Sequence, residues 1–468
     1  LKFIGGFSVD RKPIEKQFLK YVVPSMFTML LSGFYTIVDG FFIGRAIGDV
    51  GLAAINIAWP ITAVLLAMGT GIGTGGSVIM STRRGEGDYP SACKAKGNTI
   101  VLLIMASALL TVFFLFLHEP ILRVRGAEGA VHTAASEYVM IIIAGSTLQI
   151  FGTGLTPLLR NSRKTIAAMV IMVTGLLTNI LLDWYFIMPL QMGMAGAALA
   201  TITAQGIVAV LSVIVLVREK DRRLHFKPQH FKLEKKLCGK ILRTGISPFG
   251  LSLSPSIILI FNNWQCLAYG GEAAVAAYAV ASYIVESVML FLSGIGEGLQ
   301  PLISYLKGAR EYQQMKAVKN KGLRVALIIS CTLSVILFLV RGAVPAAFGT
   351  SPEASALMVN ALLWSVFAFP LIAVAKLFSS YFYAVGEDRL ALFMIYADPC
   401  FFTPVLLITL PLIFAIDGIW IALPAAQGLL VLSLLYLYRI HKEHLRLEQT
   451  AYANAELDDA KNAQTIDA

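Results

Sequence analysis

Apolar residues in this chain come in long unbroken runs rather than in alternating or one-faced patterns. About twelve such runs, separated by charged or Gly/Pro-rich breaks, approach or exceed the ~20 residues that cross a bilayer as a helix. They lie roughly at 18–44, 52–80, 98–117, 134–158, 165–187, 194–217, 241–268, 275–303, 322–344, 354–383, 390–414 and 417–440. A closed membrane barrel would instead need alternating strands of about 10 residues. The pattern therefore predicts an all-α polytopic membrane protein with 12 transmembrane helices. The first run starts near Phe18 and is too long for the apolar core of a cleavable signal, so it is expected to remain as the first membrane helix.

Composition agrees: of 468 residues 57% are hydrophobic and only 14% charged, with a mean hydropathy of +0.73. Soluble domains carry about 25% charged residues, so an ordinary globular enzyme, a disordered chain and a fibrous repeat are excluded. The net charge of +10 changes the picture only once it is divided by side. The N-terminus, every second loop and the C-terminal tail hold 33 of the 38 Lys and Arg residues. The opposite loops hold Arg45, Arg123, Arg125 and Arg341, and Lys376 lies within a span. By the positive-inside rule the number of spans is even and both termini are cytoplasmic. The expected location is the inner (plasma) membrane.

The spans divide into an N-terminal six-helix bundle (1–217), a basic cytoplasmic linker (218–240), a C-terminal six-helix bundle (241–440) and a polar tail (441–468). The linker reads as a solvated, topology-setting loop touching anionic lipid, and nucleic acid is not an expected partner. The tail is expected to be poorly ordered. Five scattered cysteines without C-x-x-C spacing argue against a disulfide scaffold or a zinc site. The six histidines fall in predicted loops or tails, with His441 and His444 read as a solvated pair.

The halves repeat. At a shift of 223 residues, the run Gly71, Ile72, Gly73, Thr74, Gly75 falls on Gly294, Ile295, Gly296, Glu297, Gly298; Ser81 falls on Ser304, Gly85 on Gly308 and Tyr89 on Tyr312. At a shift of 222, Gly196 meets Gly418, and Gln205 with Gly206 meets Gln427 with Gly428. An even number of spans per unit makes the copies parallel, related by a pseudo-twofold axis along the membrane normal and enclosing a central cleft. Gly71, Gly73 and Gly76 spell G-x-G-x-x-G, but inside an apolar helix close helix packing explains them better than dinucleotide binding. No phosphate-binding G-x-x-x-x-G-K-[ST] run is present, so active transport must draw on an ion gradient.

Ionisable side chains at bilayer depth cost about 3 kcal/mol each on insertion scales and mark candidate sites. Asp39 lies about six residues before Arg45, Asp183 about five before Met188, Asn179 one turn deeper on the same face, and Thr201 about eight after Gly193. At 1.5 Å per residue all four sit roughly 8–13 Å below the outer end of the first bundle, where they can converge. The alternative is that both acids are helix-end residues wetted by the interface. The repeat argues against it: the second half has Asn262 for Asp39, with Phe401, Val405 and Leu423 near the counterparts of Asn179, Asp183 and Thr201. Lys376 and Asp398, at similar depth on sequential helices, are a candidate structural ion pair. Tyr35, Gln205 and Glu286 are candidate substrate contacts, and Glu297 is read as a helix-end hydrogen-bonding group.

These residues resemble the multidrug and toxic compound extrusion (MATE) transporters over nearly the whole chain. The most specific pieces are the stretch 38–45 (VDGFFIGR) with Leu52, Ala53 and Ala54, the glycine run 71–75, and Asn179 to Asp183 followed by 193–201 (GMAGAALAT). The resemblance implies secondary antiport of diverse, often cationic or amphipathic organic compounds against H⁺ or Na⁺. It implies no enzyme activity and no cofactor beyond that ion. It further implies that Asp39, Asn179, Asp183 and Thr201 bind the coupling ion, and that Pro24 is the site where the first helix bends. Some members carry a further acid in helix 7, where this chain has only Asn262 and Asn263, which argues against a Na⁺ site in the second bundle and leaves Asp398 as the acid that keeps that alternative open. Expected partners are small organic substrates and membrane lipids, with the monomer as the functional unit. The rival reading is a flippase for lipids or lipid-linked oligosaccharides, which should carry a strongly cationic cleft; here only Lys376 lies within a span.

Overall fold

The computed structural model describes residues 14–219, 221–348 and 351–466, and among them every regular element is helical. In the first half these are α1 (Ile14–Ala46), α2 (Asp49–Gly85), α3 (Tyr89–Val124), α4, α5 (Thr165–Ile187) and α6 (Gly193–Val217). The α4 span is two segments, Gly129–Ala144 and Ser146–Asn161, bent by 60° about Gly145. A 74-residue helical stretch, Lys235–Gly308, then breaks at Gly271 into α7 (235–270) and α8 (272–308). The rest are α9 (Tyr312–Val340), α10 (Pro352–Ala384), α11 (Asp388–Phe414) and α12 (Ile416–Ile466). With the bent pair and the broken stretch counted this way, the spans number twelve, in two six-helix bundles.

The turns before α2 and α8 are the same turn. Gly48 has φ 75° and ψ −153°, and Gly271, 223 residues later, has φ 58° and ψ −155°. Only glycine occupies that region without steric cost, so both α1–α2 and α7–α8 reverse direction almost without a loop. Each half has its own apolar core, one built mainly from α2 to α6 around Leu65, Leu103 and Ile142, the other from α8 to α12 around Phe369, Phe382 and Ile295.

The halves meet through the glycine runs, and the contacts obey the repeat. A methyl group on Gly294 of α8 would lie 2.5 Å from Met26 Cα of α1, and one on Gly71 of α2 would lie 2.9 Å from Phe249 Cβ of α7. A methyl on Gly298 would lie 2.6 Å from Val22 Cα, as one on Gly75 would lie 2.8 Å from Gly245 N. An added methyl on Gly85 would lie 2.1 Å from the Tyr305 carbonyl oxygen, and one on Gly308 would lie 2.0 Å from the Thr82 carbonyl oxygen. Every pair maps onto its partner by the 223-residue shift. Backbones this close leave no room for a side chain, which accounts for the glycines as packing residues rather than a phosphate loop. The last pair lies at the end carrying the Lys- and Arg-rich loops, called the basic end below.

Three expectations need correction. The linker is not simply solvated: Leu224 and His230 are buried against α3, where Asn98 Nδ2 donates to the carbonyls of His230 (3.2 Å) and Lys232 (3.1 Å). Lys96 Nζ reaches the Leu216 carbonyl at 3.3 Å and lies 3.9 Å from the Phe226 ring centroid. His441 is also buried, not solvated, and His118 is buried within α3. The polar tail continues α12 as helix through Ile466, as its Ala, Glu and Leu content favours.

Candidate functional site

Close to the end opposite the basic loops, three helices of the first bundle, α1, α5 and α6, bring together the polar residues singled out by depth. Asn179 and Asp183 are one turn apart on α5 and share a face that packs toward α1 and α6. Gly175 lies 2.4 Å, measured from an added methyl, from Val208 of α6, so a side chain there would hold the two helices apart. Asp183, Asn179 and Thr201 all lie within interaction range of the Asp39 carboxylate. Asn179 and Asp183 are 0% exposed, Thr201 3% and Asp39 8%, so none is wetted at an interface. The cluster is completed by two residues the sequence did not suggest, Tyr138 of α4 and Thr62 of α2, the tyrosine hydroxyl lying beside both threonines and near both acids.

Asp39 Oδ1, both Asp183 oxygens, both Asn179 amide atoms and Thr201 Oγ1 are buried without a hydrogen-bond partner. Buried polar groups are otherwise almost always satisfied. Two carboxylates, an amide and a hydroxyl, turned inward and left unsatisfied by protein groups, form a donor set suited to a proton or a hard cation. Among the described residues the second half holds no such set of unsatisfied carboxylates. Asn262 Nδ2 closes on its own helix at the Ile258 carbonyl (3.0 Å), and Phe401 and Val405 face outward, exposed.

The other predicted residues are dispersed. Pro24 is buried within α1, which continues unbroken past it, and Thr28 Oγ1 donates to the Pro24 carbonyl at 2.8 Å. The side chain of Tyr35 lies outside the described residues. Gln205 is turned toward α4, its Oε1 2.3 Å from a methyl built on Gly152. Glu286 is half-buried on α8, with no hydrogen bond or ion pair among the described residues. Lys376 and Asp398 do not form the expected ion pair. They line one small cavity of about 20 Å³, but Asp398 accepts instead from Thr403 Oγ1 and Gln427 Nε2, both at 2.6 Å. The cause is local: residues 398–402 form a π-helical turn, which places Thr403 at hydrogen-bonding distance five residues on.

The sequence singled out one member of a second buried polar group, Glu297, but none of its partners. At the basic end Arg160 Nη2 of α4 pairs with Glu297 Oε2 of α8 at 2.6 Å, and Tyr383 OH of α10 donates to Glu297 Oε1 at 2.9 Å. Beside it Asn161 Nδ2 donates to Gln300 Oε1 (2.9 Å) and Ser77 Oγ (3.0 Å), and Ser81 Oγ donates to the Pro301 carbonyl (3.0 Å). All are buried, and the group joins the first half to the second. Glu297 is thus an inter-half ion-pair partner rather than a helix-end group. No spacing signal announces it, because Arg160 and Glu297 are 137 residues apart and Arg160 reads as one more basic loop residue.

Comparisons with known proteins agree with this architecture. The MatE family model matches residues 24–185 and 252–398, one segment in each half. The chain is similar to the multidrug export protein MepA of Staphylococcus haemolyticus (strain JCSC1435), at 27% identity over 93% of this chain and 95% of that protein. MepA of Staphylococcus aureus (strain NCTC 8325 / PS 47) is 24% identical over 94% of this chain and 96% of its own length. The fold is similar to a solved outward-facing conformation of a multidrug resistance MATE family transporter of the MOP superfamily. That match has a TM-score of 0.88 at 22% identity and covers 93% of this chain and 97% of the other. One family segment in each of two tandem bundles, with relatives and a solved fold that cover more than nine-tenths of the chain, places it: this chain is a multi-pass membrane protein of the MatE family, the multidrug and toxic compound extrusion transporters.

Proposed function

We propose that this chain exports diverse organic cations and amphipaths by antiport, driven by H⁺ or Na⁺ taken up at Asp39, Asn179, Asp183 and Thr201. The observation that carries this reading is the set of unsatisfied buried oxygens around two carboxylates, present among the described residues in the first half only. Two carboxylates held together away from water are stabilised by a bound cation or proton, so occupancy and charge of the site are linked. The skew of Lys and Arg toward one side supports cytoplasmic termini, a cytoplasmic basic end and entry of the ion from the opposite face.

In this reading α1 carries the signal. Asp39 lies 15 residues from Pro24, about 22 Å along the helix. The Pro24 segment is the part of α1 whose backbone touches α8 at Gly294 and Gly298. Proline removes one intrahelical hydrogen bond and permits bending there. Neutralising Asp39 would thereby alter the packing between the halves and release substrate outward.

The test is efflux of a cationic dye from proteoliposomes under separately imposed pH and Na⁺ gradients. One gradient should drive efflux in the native protein, and Asp39→Asn should abolish it while the protein still inserts and folds. Undiminished efflux by Asp39→Asn, or no response of the native protein to either gradient, refutes the reading.

A further inference from the structure

A cavity of about 740 Å³ opens at the basic end, between α1, α2, the turn after α4, the linker and the end of α8. Its walls carry Lys20, Arg84, Arg163, Lys164 and Arg218 against only Glu219 and Asp221. Both acids are already engaged, Glu219 with Lys164 at 3.2 Å and Asp221 with Arg223 at 2.8 Å. Among the described residues no carboxylate lies within 4.0 Å of Lys20, Arg84, Arg163 or Arg218.

Arg84 is the informative one. It is 6% exposed and its Nη1 donates to the Asn161 carbonyl at 2.6 Å, but its Nε has no hydrogen-bond partner. The Arg163 guanidinium converges on the same place: Arg84 and Arg163 lie 5.2 and 5.4 Å from the centroid of the Tyr305 ring. Arg163 is held there by a positive φ of 63°, a backbone conformation that side chains other than glycine's rarely adopt. Two guanidiniums drawn together on one ring, one of them buried, with Asp221 nearby but no carboxylate within ion-pair distance of either among the described residues, are unfavourable unless an anion shares them. The guanidinium fork matches phosphate oxygens in geometry and charge.

We propose that this cavity is a binding site for a phosphate-bearing anion, bridged by Arg84 and Arg163 and flanked by Lys20 and Arg218. Lys20, Arg84 and Arg163 belong to the first half, Arg218 opens the linker that follows it, and Tyr305 belongs to the second half. The site is therefore complete only while the halves are closed at the basic end, and its ligand favours that closed arrangement. A phospholipid headgroup and a small soluble phosphate present the same chemistry.

The test uses the full chain, purified in neutral detergent and washed free of lipid, with thermal unfolding as readout. The probes are inorganic phosphate, glycerol 3-phosphate and phosphatidylglycerol in mixed micelles, with chloride at matched ionic strength and phosphatidylcholine as controls. At least one phosphate probe should raise Tm saturably. A response to the soluble probes identifies a free phosphate, and a response to phosphatidylglycerol alone identifies a lipid headgroup. Arg163→Gln, an exposed side chain whose loss leaves the fold intact, should weaken the response about tenfold, as loss of a charge-assisted bond does. Arg84→Gln should do the same, whereas Lys235→Gln on the same face should leave it unchanged. The proposal is overturned if no phosphate probe exceeds its control, or if the response persists in Arg163→Gln.

Discussion

The buried Arg160–Glu297 pair gives the sharpest quantitative expectation, because it crosses between halves that a transporter must separate. Glu297→Gln leaves Arg160 in place, and Arg160 Nε and Nη1 already lack partners. Removing one member of a buried pair costs about 3–5 kcal/mol, since the remaining charge stays desolvated. If that cost falls on the closed arrangement, the equilibrium between closed and open at the basic end shifts by roughly two to nearly four powers of ten, at 1.36 kcal/mol per power. Tyr383→Phe removes only one hydrogen bond to a charged group, about 1.5–3 kcal/mol, and should give a smaller shift in the same direction. Replacing the pair by apolar residues, Arg160→Met with Glu297→Leu, removes both charges and should restore most of the closed population. The assay is the rate at which a polar maleimide modifies Ser81→Cys, in a background lacking the exposed Cys331 and Cys400; Ser81 is fully buried at the join. Labelling should rise in the order native, Tyr383→Phe, Glu297→Gln, and fall back in the double variant. If Glu297→Gln labels like the native chain, or the double variant labels as fast as Glu297→Gln, the ion pair does not hold the halves together.

Gly308→Val places a branched side chain where a single methyl would already sit 2.0 Å from the Thr82 carbonyl, so it should expose Ser81→Cys to labelling without disturbing either core; a protected cysteine would contradict the close approach. The loop after α10 is tied to α12 through His441, whose Nδ1 lies 3.3 Å from Glu387 Oε1 while its Nε2 lies 2.9 Å from Tyr381 OH. The carboxylate only accepts, so Nδ1 donates to it and the tyrosine donates to Nε2. The hydrogen bond from His441 holds the Glu387 carboxyl below its ordinary value despite partial burial. A depressed acid stabilises above the unfolded value of about 4.3 and loses that contribution as pH falls through its folded value. The Tm gap between the native chain and Glu387→Gln should therefore be widest near neutrality and close in acid; a gap independent of pH would show that Glu387 does not act through its charge. Gln427→Leu leaves Asp398 with the Thr403 hydrogen bond alone and should lower Tm by the equivalent of about 1.5–3 kcal/mol, the worth of a hydrogen bond to a charged group; an unchanged Tm would show that the Gln427 bond adds nothing to stability.

How much of this was legible in the sequence follows from the range of the interactions. Spans, repeat and glycine seam depend on local hydropathy and on spacing within one helix, and these were readable. The acidic cluster was readable because depth along three helices is simple arithmetic, although Tyr138 and Thr62, common residue types in apolar spans, carried no mark. The Arg160–Glu297–Tyr383 group was not readable, since it depends on how the halves dock and each member has an unremarkable local explanation. Lys376 and Asp398 misled for the opposite reason: equal depth suggested a pair, but a π-helical turn, invisible in composition, gives Asp398 other partners.

The reciprocal glycine contacts between Gly85 and Tyr305 and between Gly308 and Thr82 have the form of an isologous interface, the kind two identical subunits make around a twofold axis. Within one polypeptide the two sides are encoded separately. Each can drift so long as the glycines and the backbones they face stay in register, and that leaves the interior of either bundle free to specialise. The carboxylates of one half and the aromatic and aliphatic residues at the matching places in the other are what such a division of labour looks like: a symmetric hinge plate carrying two unlike doors.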